Sequence, residues 1–295
     1  MDKSRQKDFG IMIKRVLICL YSVVHTGYLN LCWFLQFQIC KNTQKSSISG
    51  SKDVSSLPFK HALYLVPHAD DDLISGWSFL KRNRERISLF YCGFTGSRTD
   101  EKNRKIRRNE FVQYCTKNDF YFIESNGNYA KEIDQILKTK QYDAVFLPCY
   151  LDWHKEHRQL DEMLEKIDLN NLQIIWYSVT VPLTAQVNNA CSPMTEQEQK
   201  EKWIQFKQTY RSQCMPIMRL KYQERLTGMQ LGYFAVESFY IFPDTEAFLC
   251  LMNKFHKINE VTPFDCLSEK INNLSKIRQF VAEKFVLDFD HAISK

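Results

Sequence analysis

The feature that most constrains the fold of this chain is a regular alternation of short apolar segments with longer, helix-compatible ones. Five short apolar segments follow residue 57, at Ala62–Val66, 87–92, 120–123, 144–147 and 173–179. Segments of this length with polar stretches on either side are typical of buried strands. Strands that alternate with helices form a parallel sheet that is covered on both faces. The sequence therefore predicts an α/β fold, a doubly wound, Rossmann-like parallel sheet in three layers (α/β/α).

Helices are predicted between and after these strands. They cover residues 73–81, 100–117, Tyr129–Lys138, 158–166, 195–211 and 266–286, and a late strand is predicted at 237–242. In the commonest strand order for such a sheet, 3-2-1-4-5, the first and fourth strands are neighbours. Ligands bind in the crevice beyond the carboxyl ends of these strands, so residues that follow the first and fourth strands are expected to meet there.

The N-terminal segment has a different composition from the rest of the chain. Residues 16–40 carry no formal charge, and basic residues precede them. About twenty apolar residues can span a bilayer, but polar side chains interrupt this segment. Two interpretations stay open: membrane association through residues 16–40, or an apolar flap that packs on the body or on a partner. Residues 1–40 are thus interpreted as a tail or anchor, the Ser-rich residues 41–56 as a linker, and residues 57–295 as one folded domain.

Charge and cysteine pattern restrict the class of protein further. The formal net charge is +6, and no basic stripe with interleaved aromatic residues or other nucleic-acid-binding motif is present, so no nucleic-acid partner is expected. The ten cysteines include no Cys-x-x-Cys pair, which argues against a zinc ribbon or a redox motif. Cysteines scattered through apolar segments indicate reduced thiols and a cytoplasmic protein.

A first chemical motif follows the first predicted strand. His68-Ala69-Asp70-Asp71-Asp72 places three consecutive carboxylates beside an imidazole. Such a cluster is tolerated where a cation compensates the charge. The alternative is an acidic helix N-terminus, where Asp caps the backbone and complements the helix dipole.

A second motif follows the fourth predicted strand. In Asp152-Trp153-His154-Lys155-Glu156-His157, two histidines are separated by two residues at the start of a helix, which places both imidazoles on nearly one face. Taken alone, this pair could be a surface coincidence. The predicted strand order brings both motifs to one crevice, however. Two His and one Asp ligand, with water in the fourth position, form a catalytic zinc arrangement.

The order and spacing of these motifs resemble the PIG-L/LmbE-like family of zinc N-deacetylases, whose usual motifs are His-Pro-Asp-Asp-Glu and His-Pro-Asp-His. The resemblance covers roughly residues 57–242. It extends to Arg107-Arg108-Asn109-Glu110, Tyr210-Arg211-Ser212-Gln213 and Glu237-Ser238-Phe239.

The resemblance implies a role for each matching residue. His68, Asp71 and His157 would hold Zn²⁺, and Asp70 would be the general base. His154 would stabilise the developing oxyanion or protonate the leaving amine. Three further residues would contact the substrate: Arg107, Tyr210 and Gln213.

This sequence departs from the family motifs at several positions. Ala69 and Asp72 replace the proline and the glutamate, neither of which is a ligand position. Lys155 and Glu156 replace a proline and an aspartate. If Glu156 orients His154 through a hydrogen bond, its extra methylene changes that geometry.

The resemblance implies hydrolysis of the acetamide of an N-acetylglucosamine-type sugar or glycoconjugate, in glycoconjugate biosynthesis. Two alternatives stay open: an amide hydrolase that acts on a non-sugar conjugate, and a sugar-recognition protein that performs no chemistry. A base beside the metal speaks against the second alternative, since a binding protein does not need one. The sequence predicts no oligomeric state.

Overall fold

The computed structural model describes residues 3–43, 52–54, 57, 59–96, 100–139, 141–169 and 172–286. The strands are β1 (Lys52–Asp53), β2 (Ala62–Val66), β3 (Ile87–Tyr91), β4 (Tyr121–Glu124), β5 (Ala144–Pro148), β6 (Gln173–Tyr177), β7 (Ala190–Met194) and β8 (Ala235–Ile241). The α-helices within these ranges are α1 (Lys3–Thr43), α2 (Asp71–Arg82), α3 (Glu101–Asn118), α4 (Tyr129–Lys138), α5 (Lys155–Leu164), α6 (Glu196–Thr209), α7 (Ile217–Gln230), α8 (Thr245–Val261), α9 (Leu267–Lys270) and α10 (Leu274–Val286). Short 3-10 helices lie at Arg84–Arg86 and Phe264–Cys266.

All strands belong to one eight-stranded sheet with the order β1-β7-β8-β6-β5-β2-β3-β4. Five neighbouring strands of the sheet, β4, β3, β2, β5 and β6, are parallel to one another. Their order is the predicted 3-2-1-4-5 order. This confirms the α/β prediction. The sheet continues beyond that prediction, because β8 pairs antiparallel with both β6 and β7.

The sheet is covered on both faces, since successive side chains of a strand point to opposite sides. In β2, Tyr64 belongs to a cluster with residues of α2, α3, α6 and α7 on one face. Leu63 and Leu65 belong to a second cluster with residues of α4, α5, α8 and α10 on the other face. The rings of Tyr64 and Tyr177 stack with their centroids 4.7 Å apart. This arrangement confirms the three layers and explains why the central strands are apolar throughout.

Several elements were not predicted from the sequence, or were predicted with other bounds. Strand β7 contains Pro193, which argues against a strand by propensity. Helices α7 and α8 have no predicted counterpart. The predicted helix at 266–286 is interrupted, because α9 ends at Lys270 and α10 begins at Leu274.

Helix α1 packs on the body through its C-terminal half. Trp33, Phe37 and Cys40 are buried against α7 and α10. Earlier in the helix, large apolar side chains are exposed, among them Leu20 and Val24. Within the described part of the chain, no helix has the length and apolarity needed to cross a membrane. The flap interpretation therefore describes the second half of α1, and association of the exposed part with a membrane stays a prediction.

The proposed linker is described only in part. Lys52 and Asp53 pair with β7 at the edge of the sheet, and Val54 is buried. Residues 44–51, 55 and 56 of the linker prediction lie outside the described residues. The division of the chain at residue 57 stays a prediction, and residues 52 and 53 contribute to the sheet.

Candidate metal centre and its cleft

The two motifs meet at the carboxyl ends of β2 and β5, which are parallel neighbours in the sheet. His68 lies two residues beyond the end of β2, and Asp71 is the first residue of α2. His157 is the third residue of α5. Because the carboxyl ends of parallel strands point to the same edge, residues 89 positions apart come into contact.

His68, Asp71 and His157 form a compact group of potential ligands. His68 Nδ1 lies 3.1 Å from Asp71 Oδ2 and 2.9 Å from His157 Nε2, and Asp71 Oδ2 lies 3.2 Å from His157 Nε2. All three residues are buried. They are the group that could hold a metal ion among the described His, Cys, Asp and Glu side chains.

This donor set fits a divalent metal ion. A tetrahedral zinc ion with bonds of about 2.1 Å places its donor atoms roughly 3.4 Å apart. The three donor atoms of His68, Asp71 and His157 would have to move apart by a few tenths of an ångström, which a small side-chain rotation achieves. Two imidazoles and one carboxylate suit Zn²⁺ and leave a position for water or substrate.

Glu156 positions His68. Its Oε2 lies 2.8 Å from His68 Nε2, the ring nitrogen that does not face Asp71. Burial raises the pKa of the Glu156 carboxyl, but the hydrogen bond and charge of His68 outweigh it and lower that pKa, and a hydrogen bond from the backbone amide of Gly96 adds to the effect. Gly96 has φ +60°, a conformation that favours glycine. Glu156 thus contacts His68, whereas the sequence-based hypothesis assigned it to His154.

Asp152 faces the second imidazole. Its Oδ1 lies 3.5 Å from His157 Nδ1, without the geometry of a hydrogen bond. The Thr180 hydroxyl donates to Asp152 Oδ2 at 2.8 Å, and the His154 amide donates to Oδ1 at 2.9 Å. A carboxylate behind a ligating imidazole fixes the tautomer of the ring and raises its basicity. The sequence places Asp152 at the start of the second motif, but it assigns this residue no role.

The carboxylates around the imidazoles of His68 and His157 favour the protonated, positively charged form of these rings. Burial lowers the pKa of His68, but the Asp71 carboxylate and the bonds to Asp71 and Glu156 outweigh it and raise that pKa to about 9. For His157, burial is likewise outweighed by Asp71 and Asp152, which raise its pKa to about 10. The two imidazoles in turn hold the pKa of Asp71 well below its usual range, against the effect of burial. A site with this potential attracts cations.

Asp70 lies at the wall of the cleft and differs from its two acidic neighbours. It is the N-cap residue of α2, yet its carboxylate forms no capping hydrogen bond. Burial and the negative charge of Asp71 raise the pKa of Asp70 to about 7. A carboxylate with these properties can accept a proton near neutral pH.

His154 packs against Trp153, with ring centroids 3.9 Å apart and the ring planes tilted by 37°, and both residues line the cleft. Burial and the charge of His157 lower the pKa of His154 to about 4. Its imidazole is therefore neutral at pH 7.

Asp72 lies in the protein interior, hydrogen-bonded to Tyr210. Its side chain is fully buried, and the Tyr210 hydroxyl donates to its two oxygens at 2.9 and 3.1 Å. Burial raises the pKa of Asp72 well above its usual value. Tyr210 is not among the residues that line the cleft, and its contact with substrate stays a prediction.

The cleft has a volume of about 390 Å³. His68, Asp70, Asp71 and His154 line it, as do two of the residues predicted to contact substrate, Arg107 and Gln213. Arg107 donates to the Thr95 carbonyl oxygen at 3.2 Å. The cleft also includes Arg219, which sequence reasoning missed because α7 was not predicted.

None of the known family models matches this sequence, and no curated protein matches it. Solved structures similar to this chain include three deacetylase structures. The N,N'-diacetylchitobiose deacetylase from Pyrococcus horikoshii, complexed with an inhibitor, is 21% identical, with 63% of this chain and 85% of that chain covered and a TM-score of 0.48. A triple mutant of a deacetylase of the teicoplanin biosynthetic pathway is 13% identical, with 63% and 100% covered and a TM-score of 0.46. The zinc-inhibited form of teicoplanin deacetylase is 12% identical, with 63% and 100% covered and a TM-score of 0.45. These neighbours are deacetylases of the LmbE/PIG-L fold, the family whose motifs this sequence resembles.

Proposed function

We propose that this chain is a zinc-dependent hydrolase that removes the acetyl group from an N-acetylated amino sugar. One observation carries the proposal: His68 and Asp71, which form a buried group with His157, line the same cleft as Asp70, whose carboxylate forms no capping hydrogen bond. Metal ligands next to a proton acceptor are what hydrolysis of an amide needs. The motif resemblance supplies the sugar part of the proposal.

We infer a role for each of these side chains from the motif resemblance and from the lining of the cleft. When bound to His68, Asp71 and His157, a zinc ion would supply Lewis-acid chemistry, polarising a carbonyl group and making water more acidic. Asp70 accepts a proton from the water whose oxygen attacks the acetamide carbon. The C–N bond then breaks, and the nitrogen takes up a proton and leaves as the free amine of the sugar, together with acetate.

His154 would assist the departure of the amine. Its neutral imidazole can donate one N–H to the developing oxyanion or to the leaving nitrogen. Arg107 and Gln213 would hold the hydroxyl groups of the sugar, because both present N–H donors at the wall of the cleft.

Metal analysis and acetate release from N-acetylglucosamine test the proposal together. The protein should contain about one zinc ion per chain, and His157→Ala should lose it. Asp70→Asn should retain the zinc and release acetate at least roughly 100-fold more slowly. Asp134→Asn, at an exposed ion pair with Lys138 on α4, serves as the control. A protein that loses zinc on Asp70→Asn and keeps it on Asp71→Asn would contradict the assignment of the two carboxylates.

The same experiment separates the alternatives. A sugar-recognition protein would bind the sugar and release no acetate from it. A hydrolase for a non-sugar conjugate would release acetate from N-acetylated amines but not from N-acetylglucosamine. A cytoplasmic location, with association of α1 with a membrane, completes the proposal and is tested by fractionation of cells that express the full chain.

A further inference from the structure

Helix α2, which begins with the candidate ligand Asp71, is kinked in its middle. Gly76 has φ −146° and ψ 22°, which are not helical values, and the helix continues after it to Arg82. The Tyr64 hydroxyl approaches this point so closely that a Cβ atom on residue 76 would lie 2.8 Å from it. A larger residue at this position would therefore displace the tyrosine ring or the helix. The kink separates the first turn of α2, which follows Asp70, from the rest of the helix.

A glutamate and a lysine from other elements hold the backbone on the two sides of the kink. After the kink, the Ser78 amide donates to the two carboxylate oxygens of Glu237 at 3.0 and 3.1 Å, and the Phe79 amide donates to Oε2 at 3.1 Å. Before the kink, Lys202 Nζ donates to the Ile74 carbonyl oxygen at 2.8 Å. In a regular α-helix, that carbonyl oxygen pairs with the Ser78 amide. The two side chains thus provide a partner for each of these two backbone groups.

The two side chains form one buried ion pair. Lys202 Nζ lies 2.9 Å from Glu237 Oε1, and neither side chain is more than 1% exposed. A second carboxylate, that of Glu224, lies 2.7 Å from the same nitrogen. Burial lowers the pKa of Lys202, but the charges of Glu224 and Glu237 outweigh it and raise that pKa, so the ammonium group is charged at pH 7. Hydrogen bonds from or to charged groups are stronger than those between neutral groups, and burial protects them from screening by solvent.

The ion pair belongs to elements other than the one that it holds. Glu237 is the third residue of β8, which pairs with both β6 and β7. Lys202 belongs to α6, which covers the same face of the sheet as α2. Neither residue is among those that line the cleft. The place of the first turn of α2 therefore depends on groups outside α2 and outside the cleft.

We propose that Lys202 and Glu237 are positioning residues for the metal centre, which act by fixing the first turn of α2 through its backbone. The inference rests on the proposed function, because it assumes that Asp71 is a metal ligand. A carboxylate oxygen binds zinc at about 2.0–2.2 Å, so a displacement of this turn by a few tenths of an ångström weakens the bond. Asp70, the proposed base, directly precedes the turn and would move with it. The ion pair would thus support both the metal affinity and the turnover number.

Zinc affinity of the full-length chain tests this role without requiring turnover, and competition with a chromophoric chelator measures it. Glu237→Gln keeps the size of the side chain and removes the charge that holds the Ser78 and Phe79 amides. We expect this variant to bind zinc roughly tenfold or more weakly than the wild type. The visible absorption spectrum of the Co²⁺-loaded protein is a second readout. It depends on the arrangement of the ligands around the metal, and we expect it to change in Glu237→Gln.

Glu224→Gln is the matched control. It also removes a carboxylate next to Lys202, but this carboxylate contacts side chains of α6: Gln199, Lys202 and Trp203. Loss of a charge partner of Lys202 should lower the thermal stability of both variants. The control should nevertheless keep a zinc affinity within about twofold of the wild type and the same Co²⁺ spectrum. Equal zinc affinities and equal Co²⁺ spectra of Glu237→Gln and Glu224→Gln would overturn the proposal.

A double variant keeps the test decisive if Glu237→Gln does not fold, since removal of one member of a buried ion pair is strongly destabilising. Lys202→Met combined with Glu237→Gln removes both charges of the pair, which is often neutral for stability. The methionine cannot donate to the Ile74 carbonyl oxygen, so zinc affinity should again fall roughly tenfold or more. Thermal unfolding reports whether the double variant is folded. A folded double variant with the zinc affinity of the wild type would also overturn the proposal.

The outcome is separable from that of the proposed function. If the wild type releases acetate and Glu237→Gln binds zinc as the control does, the positioning role is refuted and the deacetylase proposal is unaffected. If Glu237→Gln binds zinc more weakly than the control but the wild type releases no acetate, the positioning role is supported and the deacetylase proposal is refuted.

Discussion

Replacing Glu156 by Gln tests how the metal ligands are held in place. Glu156 accepts a hydrogen bond at 2.8 Å from the Nε2 of His68, whose Nδ1 faces the other two ligands. The amide side chain keeps an acceptor oxygen at this position and removes only the negative charge. The variant therefore isolates the effect of the charge on the basicity and orientation of the His68 ring.

The size of the effect follows from the exposure of the pair. A hydrogen bond to a charged group contributes about 1.5–3 kcal/mol when it is buried. The Glu156 side chain is 28% exposed and that of His68 is 8% exposed, so solvent screens part of this energy. About 1–2 kcal/mol remains, which corresponds to a roughly 5- to 30-fold weaker zinc affinity.

Zinc affinity is measured by competition with a chromophoric chelator at fixed pH. Glu162→Gln is the matched control, because Glu162 lies on the same helix and accepts a hydrogen bond from the Tyr150 hydroxyl, at 3.4 Å. A zinc affinity of Glu156→Gln within about twofold of that control would refute the assignment of Glu156 to His68. An unchanged zinc affinity with a lower turnover number would instead support the sequence-based hypothesis that Glu156 acts on His154.

Three further predictions concern stability and are checked by urea unfolding. Asp161 accepts a hydrogen bond from Trp176 at 2.6 Å, and burial raises its pKa well above the usual value. The folded state thus keeps a proton that the unfolded chain releases above about pH 4, so the wild type should lose stability as the pH rises from there, and Asp161→Asn should lose less. Tyr210→Phe leaves the buried Asp72 without its hydroxyl donor and should lower the free energy of unfolding by about 1–3 kcal/mol with zinc content unchanged. Deletion of residues 1–56 exposes the apolar surface that α1 covers and should cost about 2–4 kcal/mol, although every proposed ligand lies beyond residue 57. Unchanged unfolding midpoints, or for Asp161→Asn an unchanged pH dependence, would contradict these expectations.

The sequence by itself determined the centre of the fold and the place of the candidate site. Strand segments such as Ala62–Val66 are recognisable because burial on both faces requires uninterrupted apolar residues. The strand order then follows from general rules of doubly wound sheets, and it brings His68 and His157 to one edge. Both signals, the apolar strand segments and the strand order, can be detected in a single amino-acid sequence.

Only the tertiary structure decided the partners of individual side chains. Glu156 contacts His68 and not His154, and Tyr210 contacts Asp72 and not the cleft, because side-chain directions depend on how α5 and the end of α6 are placed on the sheet. The buried Nε of Arg219, which has no hydrogen-bond partner, is likewise invisible in the sequence, since burial and hydrogen bonding are properties of the packed chain. Local propensity carries no information on contacts between residues a hundred positions apart, and it is such contacts that give each polar group its role.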